Sequence, residues 1–224
     1  MNTDTDTAGR TATELPELPG TPLARLTLDL VLREETAALA HHSIRSALFA
    51  RLLADHRGAH PGRDYDPELL FLACTLHDLG LSELGNRHQR FEVDGADAAA
   101  EFLTAQGLPA ARVDAVWQAI ALHASPGIAE RSGTLCELVR LGIGMDFGRG
   151  TDFVPDGTGA ALHATYPRLS MATSLTDAIV AQARLRPEKA PAFSITAELL
   201  RERTAAPGEP TALEAATTAG RWGN

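Results

Sequence analysis

Asp66-Pro67-Glu68-Leu69-Leu70-Phe71-Leu72-Ala73-Cys74-Thr75-Leu76-His77-Asp78-Leu79-Gly80 opens on a cap and a proline and closes on a glycine. Asp66 offers an N-cap oxygen, and Pro67 suits a first helical turn, where its missing N–H is no loss. The residues that follow are almost all apolar, which predicts a helix buried on every side. The near-apolar run, 69–76, falls far short of the roughly 20 residues that span a bilayer. His77-Asp78 then ends the helix, and Gly80 is a natural C-terminal stop. A buried carboxylate is costly unless it is paired or binds a metal. At a helix end, both side chains can converge on one ion beyond the last turn. An imidazole nitrogen and a carboxylate oxygen are compatible ligands for zinc, iron or manganese.

Outward from this stretch the pattern remains helical. Thr21-Pro22 caps a helix over about 22–32. A second covers 34–55, with Leu39, Leu48, Phe49, Leu52 and Leu53 on one face at spacings of three and four. Further helices are expected near 92–105, 109–123, 134–146, 171–185 and 194–203. Strand signals are scarce, no stretch alternates cleanly, and aromatic content is 5%. The fold class expected is all-α: one helical domain over 20–204, a disordered tail over 1–19 and a loose tail over 205–224.

The chain of 224 residues is 44% hydrophobic, enough for a real core in one domain. Lys+Arg is 20 and Asp+Glu 29, a net charge of −9. An acidic chain is a poor match for nucleic acid, whose affinity comes mostly from basic residues on phosphates, and it lacks a polybasic membrane patch. No secretory signal is visible at the N-terminus. The two cysteines, Cys74 and Cys136, sit in apolar helical segments. Reduced core thiols, and with them a cytoplasmic location, are the expectation. The expected partner is a small-molecule substrate, not nucleic acid or membrane. A homo-oligomer is compatible with the sequence, although no exposed apolar stripe marks an interface.

Histidines supply the remaining candidates. His41 and His42 lie on the second helix, with His42 on the stripe through Leu39, Phe49 and Leu53 and His41 about 100° away. Leu141-Gly142-Ile143-Gly144-Met145-Asp146 ends another apolar segment on a carboxylate. His42, His77, Asp78 and Asp146 thus come from three helices in apolar settings. His56, His60 and His163 read as solvated, His163 in a Gly/Ala/Thr-rich loop.

That ordered set, His … His-Asp … Asp, resembles the HD-domain superfamily of metal-dependent hydrolases. The run Arg90-Phe91-Glu92-Val93-Asp94-Gly95-Ala96-Asp97-Ala98-Ala99 and the segment from Val116 through Leu122-His123-Ala124-Ser125-Pro126 to Ala129 resemble its cyanamide hydratase-like branch. The resemblance implies an all-helical fold, a metal held by His42, His77, Asp78 and Asp146, and a hydratase (lyase) or hydrolase activity. The branch's described activity adds water to the nitrile of cyanamide to give urea, with zinc; iron and manganese accept the same donors. Such a metal lowers the pKa of bound water and polarises a nitrile, and a further group must move protons. His88, in the loop after His77-Asp78, and His123, at a helix end, are the candidates, with Asp78 also counted as catalytic. Glu92 and Asp94 are weaker ones. Arg45, three residues after His42, is placed to pair with an acid near the metal. Two rival activities remain: phosphohydrolysis, with Arg87, Arg90 and Arg131 as a phosphate cluster, and di-iron oxygenation, with His88 and His123 binding a second metal.

Overall fold

The computed structural model describes residues 15–224. Most of the tail expected over 1–19 lies outside them, but Leu15 and Leu18 pack against the core. Among the described residues there are ten α-helices and no strand. In order they are α1 (Pro22–Glu34), α2 (Ala37–His56), α3 (Pro67–Leu76), α4 (Phe91–Ala105), α5 (Ala110–Leu122), α6 (Thr134–Asp146), α7 (Asp156–Thr165), α8 (Met171–Leu185), α9 (Ile195–Ala205) and α10 (Ala212–Ala219).

Local chemistry sets the helix starts. Thr21 caps α1 through Ala24 N, Thr36 caps α2 through Leu39 N, and Asp66 Oδ1 accepts from the N–H groups of both Glu68 and Leu69 at the start of α3. In α3 every residue from Leu69 to Leu76 is buried, as its unbroken apolar run requires. α2 lies between α3 and α6 and is buried around most of its circumference.

Two close approaches bring the distant motifs together. Gly142 of α6 meets α2: a Cβ there would lie 2.5 Å from Ala50 Cβ and 2.7 Å from Ser46 O. This contact lets Asp146, one turn further on, reach His42 and Arg45. Gly80 and Gly95 form the second: a Cβ on Gly80 would lie 2.0 Å from Phe91 O, and one on Gly95 2.8 Å from Gly80 N. The turn after His77-Asp78 is therefore pressed onto the first turns of α4. Gly142→Ala is expected to destabilise the protein by about 1–3 kcal/mol through overpacking, despite alanine's better helix propensity. Urea unfolding measures this, and an unchanged midpoint would contradict it.

Two expectations need correction. His163 is in α7, not a loop: α7 starts after Pro155, and the His163 ring packs against both Phe49 and Trp222. The end of the chain is not loose. Thr211 and Glu214 form a reciprocal capping box on α10, Trp222 stacks on Phe49, and its indole N–H donates to Met145 O at 2.7 Å. A small, Ala/Thr-rich helix carries little hydrophobic periodicity; its anchor is a single tryptophan beyond its end. α8, α9 and α10 add a second apolar cluster around Leu175, Ile179 and Leu199, with Leu213 packed on it. No helix of the described residues is long and apolar enough to cross a membrane.

Candidate metal centre

His42, His77 and Asp78 meet where α2 and the end of α3 converge. All three are buried, and one ligand atom from each lies within 4.8 Å of the others. Asp78 Oδ2 is 3.3 Å from His77 Nε2 and 3.9 Å from His42 Nε2. The other nitrogen of each ring is already engaged. His77 Nδ1–H donates to Cys74 O at 2.8 Å, and His42 Nδ1–H to Asp146 Oδ2 at 2.6 Å. These bonds fix both tautomers so that Nε2 carries the lone pair, as in metal sites. Asp78 Oδ2 is buried with no hydrogen-bond partner. A buried carboxylate oxygen facing two imidazole lone pairs fits a divalent cation, which satisfies all three donors at once.

Burial and neighbouring charge act on these groups in opposite directions. Burial alone would raise the Asp78 carboxyl, but His77, and then His42 and His123, outweigh it and hold it at about 2. For His42 burial dominates and lowers the pKa against the pull of Asp146. For His77 burial is outweighed by Asp78, which raises it.

Asp146, expected as a fourth ligand, occupies a different place. Its carboxylate lies on the Nδ1 side of His42, 2.6 Å from that nitrogen. Arg45 binds both its oxygens, Nε to Oδ1 and Nη2 to Oδ2, each at 2.7 Å, and Arg168 Nη1 reaches Oδ1 at 3.2 Å. Burial is outweighed by Arg45, so the carboxyl is held well below its ordinary range. Asp146 therefore orients His42 from behind. Arg45 pairs with Asp146, the acid beside His42, as its register implied.

His123 joins the site. Its Nδ1–H donates to Ile120 O at 2.7 Å, its ring meets that of His77 at 4.9 Å, and it lines the same cavity. Burial, then the neighbouring His77, lowers its pKa to about 3, leaving a neutral imidazole with a free Nε2.

His88 does not join it. Its side chain is 81% exposed and faces Glu188 at 3.8 Å. Asp94 explains this: its oxygens accept the N–H groups of Arg87 and Gln89, each at 3.0 Å, and the buried Lys189 ammonium. The loop wraps around Asp94 and leaves His88 outside. Glu92 is buried against Arg90. Asp94 and Glu92 thus hold the loop in place and do not line the cavity. His41 also lies off the site, with Nδ1–H donating to Pro167 O at 3.0 Å. His88→Ala and His41→Ala are expected to change turnover and metal content by less than about twofold, in the range of surface substitutions; a large loss in either would show that this geometry misassigns it.

Glu35, at the end of α1, is the residue that sequence reading missed. Burial, then repulsion from Asp78, raises its carboxyl well above the ordinary range, against a 3.3 Å hydrogen bond from Ser43. Nothing local in the sequence marks Glu35 as buried, and only the packing around the end of α1 reveals it.

The cavity over these groups measures about 290 Å³. Phe91, Ile143, Phe147, Leu175, Ile179 and Leu213 give it a mainly apolar wall. The HD domain family profile matches residues 39–183. This chain belongs to the HD-domain family. Cyanamide hydratases DDI2 and DDI3 of Saccharomyces cerevisiae are each 30% identical to it over 155 residues, covering 67% of this chain and 68% of theirs. It is thus a cyanamide hydratase-like member of the HD superfamily, a metal-dependent enzyme family with an all-α fold.

Proposed function

We propose that the protein hydrates a small nitrile at a single metal centre, with cyanamide the first candidate and urea its product. The observation that carries this reading is a small apolar cavity holding one three-residue ligand set, with the imidazole of His123 beside it held through Nδ1 so that Nε2 is unengaged. His42, His77 and Asp78 would hold the ion, with zinc proposed. A divalent ion there supplies Lewis acidity, which favours attack by water and polarises a nitrile.

The chain's own residues handle the protons and the geometry. Water adds across the C≡N bond: its oxygen bonds to carbon, and one π pair moves onto nitrogen. His123 Nε2 accepts the proton leaving water and returns it to that nitrogen, so the imidazole ends unchanged. Tautomerisation of the adduct gives the amide, which for cyanamide is urea. Ionised Asp78 serves as ligand and as an acceptor that orients the attacking water. The apolar wall excludes competing solvent and strengthens these interactions.

The arrangement gives less support to the rivals. Among the described residues His42, His77 and Asp78 form the only such metal-sized group, and His88, which di-iron chemistry would need, is outside. Arg87 and Arg90 pair with Glu101 and Glu92 and, like Arg131, do not line the cavity. A cytoplasmic location is proposed from the two buried free thiols.

Urea release from cyanamide by metal-loaded protein tests the reading. His123→Ala should keep near-normal metal content while turnover falls by roughly 10²–10⁴. Release of phosphate from nucleotides with no urea from cyanamide would overturn the proposal, and halved metal content in His123→Ala would make His123 a ligand.

A further inference from the structure

The cavity has a polar feature that nitrile hydration does not use. Arg140, on α6, and Arg149, just beyond it, both line it; a Cβ on Gly144 would lie 3.5 Å from Arg140 Nη1 and 4.0 Å from Arg149 Cδ, so the two side chains flank the same glycine. The same three residues wall a neighbouring hollow of about 180 Å³ that also includes Leu53 and Arg57. The metal-binding residues are buried and Arg149 is exposed, so the arginines mark the solvent end of the cavity.

Pairing sets them apart. Among the described residues, every other buried or half-buried arginine donates to a carboxylate or a backbone carbonyl, as Arg45 does to Asp146. Arg140 is half-buried and makes no hydrogen bond or ion pair; its Nε is buried without an acceptor, as are those of Arg90, Arg168 and Arg203, but these three donate through their other nitrogens. Glu130 acts on it through space, but that carboxylate already accepts the Gly127 N–H at 2.6 Å. Arg149 likewise has no ion pair and repels Arg140. Arg57, across the neighbouring hollow, is neutralised by Glu137 at 2.8 Å. Two unneutralised guanidinium groups thus stand together in an acidic chain. Leaving a desolvated donor without an acceptor is costly, and a planar carboxylate matches the guanidinium fork.

We propose that Arg140 and Arg149 form a carboxylate subsite at the open end of the metal cavity, so that the natural substrate is a small molecule with a carboxylate at one end and its reacting group at the other. The reacting end rests on the hydration reading; the carboxylate end rests on the arginines alone.

Calorimetric binding of malonate, succinate and glutarate to metal-loaded protein, each against the monocarboxylate of equal carbon number, tests it. At least one dicarboxylate should bind about 10–100-fold tighter than its monocarboxylate, the range for hydrogen bonds to charged groups. Arg149→Gln, on an exposed side chain, should reduce that preference, and Arg140→Gln/Arg149→Gln should abolish it. No preference in the wild type, or a preference that survives in the double variant, would overturn the subsite. Tighter binding of 3-phosphonopropionate than of succinate by about tenfold or more would overturn the choice of carboxylate over phosphate. These are binding constants: a dicarboxylate preference with no urea from cyanamide would overturn the hydration reading and leave the subsite standing.

Discussion

Asp78→Ala is expected to weaken metal binding by more than about 100-fold, beyond the range seen when only an outer partner of a ligand is lost, and to abolish turnover. Asp78 supplies the one anionic donor of the set, and its orphaned Oδ2 is the atom that a cation satisfies. The helices around it are held by apolar packing: Leu72 and Leu76 in α3 and Leu79 just after it are fully buried. The far-UV spectrum should therefore remain helical. Elemental analysis after dialysis, read with circular dichroism, checks both halves. Full metal retention in a folded variant would end the assignment of His77-Asp78 as the metal motif.

The second large effect lies behind the site. Arg45→Met should destabilise the protein by about 3–5 kcal/mol, because it leaves Asp146 buried with much of its charge uncompensated. Arg168 still reaches Asp146 Oδ1 at 3.2 Å, but Arg45 supplies two of the shortest contacts and also ties down the Tyr166 and Pro167 carbonyls. The paired variant Arg45→Met/Asp146→Leu should recover much of the loss, since apolar residues often replace a buried ion pair without penalty. Urea unfolding of the single and double variants gives both numbers. His42 loses its Nδ1 anchor in the double variant, so metal affinity should stay about 10–100-fold below wild type even where stability returns. Recovery of both together would remove the orienting role assigned to Asp146.

Much of the fold is legible in the residues because its helices advertise themselves: Thr21 and Asp66 cap α1 and α3, and apolar runs mark α3 and α6. α7 and α10 are not legible, being short and Ala/Thr/Gly-rich with no hydrophobic stripe. Their place is fixed by contacts distant in sequence, such as Trp222 against Gly159, where a Cβ would come within 2.6 Å of the indole. Leu213 of α10, on the cavity wall, is hidden for the same reason.

The site divides along a similar line. Helical register separates His42 from His41, because a 100° turn decides which ring enters the core. Spacing cannot separate a ligand from the residue behind it. Asp146 ends an apolar helix as Asp78 does, and only the position of Arg45 and Arg168 makes it the acceptor for His42 Nδ1. Nor does proximity in sequence place His88, because Asp94 turns its loop outward. Arg140 sits in an ordinary helical sequence, and nothing local marks it as lacking an acceptor.

One metal centre built on His42, His77 and Asp78 should hold one ion per chain. Elemental analysis of the purified wild-type protein, reconstituted with zinc and freed of excess, is expected to find a single divalent ion, absent after chelation and restored together with urea release from cyanamide. Two metal ions per chain, or full turnover in chelated protein without metal, would contradict it.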